Sequence, residues 1–302
     1  MTWTDELFDR VAAQIPCGYH PSGPAASEPT ALAALALSAA GRSAAAQAPL
    51  QKALDWLAAH QAAEGNIGAT DDPTSPGWPT GWAILAALAA KANRGEAKPQ
   101  ASSSGFDVPR AVNWLLQTAG EGMPRTSDVG HDSSLVGWPW VAGTHSWVEP
   151  TAISVLALKA AGQGNHPRTR EAVFLLTDRL LTGGGCNYGN TLVLGQELRP
   201  HVQPTGLALL ALAGEPNRDG RVGRSLDYLL ATLSAEATAA SLSYGLLGLA
   251  AHHRLPPAAP QWLQAAYRRT IARDAAAYPL ALIALASLGE RSPLIARAGR
   301  YF

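Results

Sequence analysis

The sequence predicts an all-α protein: a closed double ring of about six helical hairpins, one helix of each hairpin inside and its partner outside. Three observations carry that expectation. A Pro-Thr phrase recurs, as Glu28-Pro29-Thr30, Trp78-Pro79-Thr80, Glu149-Pro150-Thr151 and Gln203-Pro204-Thr205. Proline fixes φ and lacks an N–H, which suits the first turn of a helix. After each phrase the chain runs on in Ala and Leu with apolar residues on every side, and a helix apolar all round is buried all round. Amphipathic stretches alternate with these phrases. In an open solenoid the inner helices stay half exposed and amphipathic, so closure into a ring is the better reading.

The elements follow in order. Thr4-Asp5-Glu6 opens an amphipathic outer helix over 4–15, with Leu7, Phe8, Val11 and Ile15 on one face. A Pro- and Gly-rich loop leads to an inner helix at about 29–40. The second outer helix spans 48–63 and the polar turn 70–77 delivers an inner helix over 80–92. Residues 92–107, with Lys, Asn, Gly, Pro and a run of Ser, read as a solvated insertion. An outer helix at 109–119 precedes a long rim loop at 120–146. Loops of that length inside a compact domain are usually functional or disordered, and Trp138 and Trp140 argue for docking. Inner 150–162, outer 168–182 and inner 204–214 come next. The remaining pairs are 221–233 with 240–252 and 260–272 with 278–288, the latter inner helix entered at Tyr278-Pro279. Because stacked repeats share one core, residues 1–302 are expected to form a single domain.

Composition narrows the partners. The chain has 302 residues, 47% hydrophobic and 15% charged, with 23 basic against 23 acidic side chains. That neutrality argues against nucleic acid or an anionic surface as the main partner. No apolar run has the length of a spanning helix, and the acidic N-terminus carries no signal-peptide core. Two cysteines in so long a chain fit a reducing compartment, so a cytoplasmic location is expected. Peripheral contact with a membrane stays open.

Lys52 to Ile67, with Trp56-Leu57, Gln61 and Gly65, resembles the QW repeat of squalene–hopene cyclases, Ile67 standing for the final aromatic. Phe174-Leu175, Arg179 and Gly184-Gly185-Cys186 form a second copy, and Trp114 to Gln117 a truncated third. The chain thus resembles the α/α toroids of the class II terpene cyclases and the β subunits of protein prenyltransferases. The resemblance implies an isoprenoid or similar apolar ligand in a central cavity. In the cyclases a DxDD motif followed by Thr-Ala supplies the proton. Here Thr151-Ala152 matches, Glu149 falls on the middle acid, and Trp147 and Pro150 replace the others. The prenyltransferase zinc site needs an Asp-x-Cys pair, and neither Cys17 nor Cys186 has an acid two residues before it. No zinc and no other cofactor is expected, with Mg²⁺ at Asp71 and Asp72 the one alternative.

Each candidate has a structural reading beside the functional one. Glu149 is a general acid at the mouth, or the last residue of a capping box opened by Ser146. Glu28 repeats its position, as a ligand contact or a first-turn acid favoured by the helix dipole. Asp71 and Asp72 are paired carboxylates or an ordinary turn opener. His131, Asp132 and His145 lie in the long loop, with His145 placed to orient Glu149, or on the surface. Trp78, Trp82, Trp138, Trp140 and Trp147 line the pocket or plug the rim. Tyr188, His201 and Gln203 belong to the fourth mouth. Two function classes follow: an isoprenoid-handling enzyme using acid-initiated chemistry, or a non-catalytic toroid that binds an apolar ligand or a protein. A carbohydrate-active ring would need Asp72 and Glu149 facing each other.

Overall fold

A computed structural model describes residues 2–40, 44–72, 74–93, 105–126, 129–216 and 219–298. Residues 94–104 of the expected insertion lie outside these described residues. The inner helices are α2 (Ser27–Ala39), α4 (Thr80–Asn93), α6 (Val148–Ala160), α8 (Val202–Ala211), α10 (Ala239–Ala251) and α12 (Ala277–Ser287). The outer ones are α1 (Trp3–Ala12), α3 (Ala44–Ala59), α5 (Val108–Gln117), α7 (Pro167–Asp178), α9 (Arg221–Thr232) and α11 (Ala259–Arg273).

Each inner helix touches the next, and α12 returns to α2, so the inner ring is closed and the fold is an α/α toroid. Every residue of α6 from Val148 to Ala160 is buried. Its Lys159 would be costly there, but its ammonium bonds Glu215 at 2.7 Å and the carbonyl of Ala211 at 2.8 Å. Arg170 closes the other side of Glu215 through two bonds of 2.9 and 2.8 Å.

All inner helices begin at one end of the ring, since each follows the C-terminus of an outer helix. That end is called the mouth below. A short helix, α13 (Pro293–Ala298), contacts α2, α6, α8 and α10 and lies across the opposite end. Neither α13 nor a two-stranded hairpin, β1 (Leu192–Val193) with β2 (Gln196–Glu197), carries enough residues to show a period in the sequence.

The recurring threonine has one structural job. Thr30, Thr80, Thr151 and Thr205 are fully buried, and each hydroxyl accepts from a backbone N–H in the loop before its helix. The donors are Cys17 (3.2 Å), Ile67 (3.0 Å), Trp138 (3.0 Å) and Cys186 (2.9 Å). Thr30 and Thr151 also donate to the carbonyl of the same loop residue, at 3.0 and 3.3 Å. The separation is 13 residues in the first three hairpins and 19 in the fourth, where the β-hairpin is inserted. Cys17, Ile67, Trp138 and Cys186 are therefore equivalent positions. The fifth and sixth hairpins have short links and Leu242 and Leu280 in their inner first turns; with no long loop to fasten, they need no threonine.

The long rim loop is docked, as its tryptophans suggest. Arg168 on α7 bonds the carbonyls of Thr118, Val136 and Gly137 at 3.0, 3.1 and 3.2 Å, and its guanidinium lies 4.8 Å from the Trp138 ring centroid. Thr151→Val keeps shape but strips the partner from the Trp138 N–H. A buried donor left unpaired costs about 1–3 kcal/mol. The expected result is a loss of that size in urea unfolding, with faster amide exchange at Trp138. Unchanged exchange there rejects the fastening role.

Candidate functional site

The residue before each helix-entering proline points to the axis of the mouth. Glu28, Glu149, Gln203 and Tyr278 are each the second residue of an inner helix. Glu28 is 8% exposed and Glu149 6%. A carboxyl so placed has lost most of its water, which disfavours the charged form.

Burial raises the Glu28 pKa to about 7, opposed by a hydrogen bond from Tyr19 and raised further by the charge of Glu149. The Tyr19 hydroxyl donates to Glu28 Oε2 at 2.6 Å. Burial likewise raises Glu149 to about 7, with Gln203 pulling the other way. Glu149 Oε1 is buried and has no hydrogen-bond partner. The two acids therefore sit in one low-dielectric chamber and oppose each other's ionisation.

Aromatic rings make the rest of the chamber. Trp82 of α4 and Tyr244 of α10 stack at a centroid distance of 6.3 Å and an interplanar angle of 24°. Tyr19 packs against Tyr278 at 5.0 Å. Tyr188 lies 5.0 Å from the His201 ring, and both reach solvent. Trp147, the N-cap of α6, is half-buried. Trp78 and Trp140 meet edge to face at 4.7 Å on the rim.

Several expectations need correcting. Glu149 is not part of a capping box: Trp147 occupies the N-cap and makes no side-chain cap bond, and Ser146 Oγ accepts from Gly137 N at 2.8 Å instead. Trp138 is 2% exposed and donates its indole N–H to the Leu115 carbonyl at 3.0 Å, so it anchors the loop away from the axis. His145 is exposed and stacks on Trp147 at 4.6 Å rather than bonding Glu149. His131 is buried beside Thr191 at 3.3 Å, and burial lowers its pKa to about 4. Asp132 accepts from Ser134 through N and Oγ at 3.0 and 2.5 Å, closing a turn. Asp71 pairs with His60 of α3 at 3.1 Å, and Asp72 accepts from Thr74 N and Oγ1 at 2.8 and 2.7 Å. Both are exposed, so Asp72 does not face Glu149 as a paired-acid mechanism requires. Among the described residues no group of three or more His, Cys, Asp or Glu is gathered to hold a metal.

Sequence reasoning missed Tyr19, Tyr244 and Tyr278. Tyr278 was findable, because it precedes Pro279 in the register of Glu28 and Glu149. Tyr244 was not, since no proline marks the start of α10.

Exposed apolar residues also favour the mouth. Of the seven large hydrophobic side chains left exposed, Tyr19, Met123, Val141, Tyr188, Val193 and Leu194 lie in loops at that end. Only Phe174 lies elsewhere, on α7. A groove of about 350 Å³ at the opposite end, lined by Asp5, Phe8, Asp9, Leu37, Leu288 and Arg291, contains none of the candidate residues. Among the described residues no helix is long and apolar enough to cross a membrane.

With this geometry in view, the comparisons are informative. No protein-family model and no curated protein sequence matches the chain. Solved structures do. The type II terpene cyclase MstE from Scytonema, as a variant in complex with its substrate geranylgeranyl dihydroxybenzoate, is 12% identical with a TM-score of 0.59. That match covers 96% of this chain and 98% of the other. The fold is that of the type II terpene cyclases. A second MstE variant, in complex with its product merosterolic acid A, gives 12% identity and a TM-score of 0.58 over 96% and 97% of the two chains. A protein from Actinoplanes is 14% identical, with a TM-score of 0.56 over 98% of this chain and 99% of its own. The terpene cyclase-like fold is established by these matches. At such identity they assign no residue roles.

Proposed function

We propose that this terpene cyclase-like protein takes the end of an isoprenoid or similar apolar molecule into its mouth and transfers a proton there through Glu149. The observation that carries the reading is the buried Glu149 carboxyl with Oε1 left unpaired in an aromatic-walled chamber. A group with a pKa of about 7 is half-protonated at neutral pH, which suits general acid–base transfer. It is a weak acid for a bare alkene, so an isoprenoid whose reacting group is an oxygen, such as an epoxide or carbonyl, is the better substrate class. Trp82, Trp147, Tyr188, Tyr278 and Gln203 would surround the bound chain end, and aromatic faces stabilise developing positive charge. Glu28, held by Tyr19, would accept or return a proton. The apolar loops around the mouth support delivery from a lipid phase, and a cytoplasmic setting remains part of the proposal.

A second reading is supported by the Trp82–Tyr244 stack, which fills the axis: a toroid that binds an apolar ligand without turning it over. One experiment separates the two. Purified protein is examined by native mass spectrometry for a co-purified lipid, then given oxygenated polyprenyl compounds in phosphatidylcholine vesicles. Catalysis predicts product from the wild type and about a hundredfold less or none from Glu149→Gln, with binding retained. Binding without product from either protein supports the second reading. No binding by either rejects both.

A further inference from the structure

In a six-membered inner ring α4 and α10 stand opposite each other, with α2 and α12 on one side and α6 and α8 on the other. Trp82 and Tyr244 thus meet across the axis, not along its wall. Trp82 is 0% exposed and Tyr244 1%, so no water-sized space borders either ring. Beyond them the inner helices continue fully buried, with Leu85, Leu156, Leu210, Leu246 and Leu282 at 0–3%, and α13 crosses the far end. Both acids lie in the first helical turn, on the mouth side of this stack. The Trp82 indole N–H is buried without a hydrogen-bond partner, although a position apolar by need would be served as well by Phe or Leu.

We propose that Trp82, backed by Tyr244, is the depth stop of the mouth, so that the protein grips only the end of an apolar chain and leaves the remainder outside the ring. This rests on the proposed apolar-ligand reading and deepens it. The ligand class is set by a compact terminal group that fits between Glu28, Glu149 and the stack. Added chain length brings little further burial, because burial gain follows the apolar area removed from water. Trp82 is a specificity-determining residue in this scheme.

The test is calorimetric binding of geraniol, farnesol and geranylgeraniol, below their aggregation limits, to the wild type and to Trp82→Ala. Trp82→Phe serves as the milder variant, and circular dichroism checks the fold of each. The wild type is expected to bind all three within about threefold of one another. Trp82→Ala, with the axis opened, is expected to tighten by about tenfold or more from geraniol to geranylgeraniol, and Trp82→Phe less. A wild-type affinity that climbs steeply with each added isoprene overturns the depth stop, as does a flat series in a folded Trp82→Ala. A parallel titration with indole separates the two ideas. If no prenyl alcohol binds any protein, the ligand reading fails. The stop then stands only if indole fills the space in Trp82→Ala and not in the wild type, and it falls if indole binds neither.

Discussion

Between pH 4.5 and pH 8, the stability of Glu149→Gln relative to the wild type is expected to improve by on the order of 3 kcal/mol. Folding moves the Glu149 carboxyl from its ordinary 4.5 up to about 7, chiefly through burial. The folded state therefore holds the proton more tightly than the unfolded chain. Below pH 4.5 both states are protonated and the contribution of this carboxyl is fully present. It is lost as pH rises through about 7, where the folded protein must either ionise a buried group or unfold. Glutamine cannot ionise, so the variant escapes the loss. Any fixed cost of burying the amide shifts both ends of the comparison equally. The wild-type profile alone is not the test, because His131 works in the opposite sense. Its pKa falls to about 4 on folding, so its contribution is present above 6.5 and lost as pH falls through 4. Urea unfolding of both proteins across the range gives the difference directly. A difference flat with pH means that Glu149 titrates as a solvated acid, and the chamber proposal falls with it. Glu28→Gln should behave similarly, and the two substitutions should be less than additive, since each charge raises the cost of the other.

Gly206→Ala is expected to cost about 3 kcal/mol or more. Helices α8 and α10 approach through their backbones here. A Cβ on Gly206 would lie 2.3 Å from the Tyr244 carbonyl oxygen and 2.4 Å from its carbon. The same contact seen from α10 puts a Gly248 Cβ 2.7 Å from the Gly206 oxygen. No rotamer relieves a clash with main chain, so the helices must separate. In a closed ring that strain is passed to the neighbouring contacts of α6 with α8 and α10 with α12. The displaced backbone is that of Tyr244, so the fluorescence of Trp82 should change as well. Gly183→Ala is the control, because nothing lies within 4 Å of a Cβ there. A loss below 1 kcal/mol at Gly206 would mean that the helices are further apart than described.

Much of the ring was legible before the structure. The inner helices were found within a few residues because Pro-Thr punctuates four of them and continuous Ala and Leu mark their burial. Glu149 was singled out correctly as a mouth residue and misassigned in its local role. The Ser-x-x-Glu spacing is that of a capping box, but the helix starts one residue later than the pattern assumes, and Ser146 is committed to the loop. The tryptophans divided by register. Trp82 reaches the axis from inside a helix, whereas Trp138 sits at the loop position fastened by Thr151 and faces α5. Tyr244 shows what a sequence withholds. Its role depends on which face of α10 meets Trp82 across the ring, and neither residue announces a partner 162 positions away.

The threonine fastening has a consequence for how such a protein can change. Each hydroxyl reads only peptide groups, and the residues it holds are as unlike as cysteine, isoleucine and tryptophan. Whatever side chain the held position bears, the grip is the same. The scaffold thus separates the part that must stay constant from the part that meets the ligand, and new rims can be tried on an old frame without renegotiating its foundations.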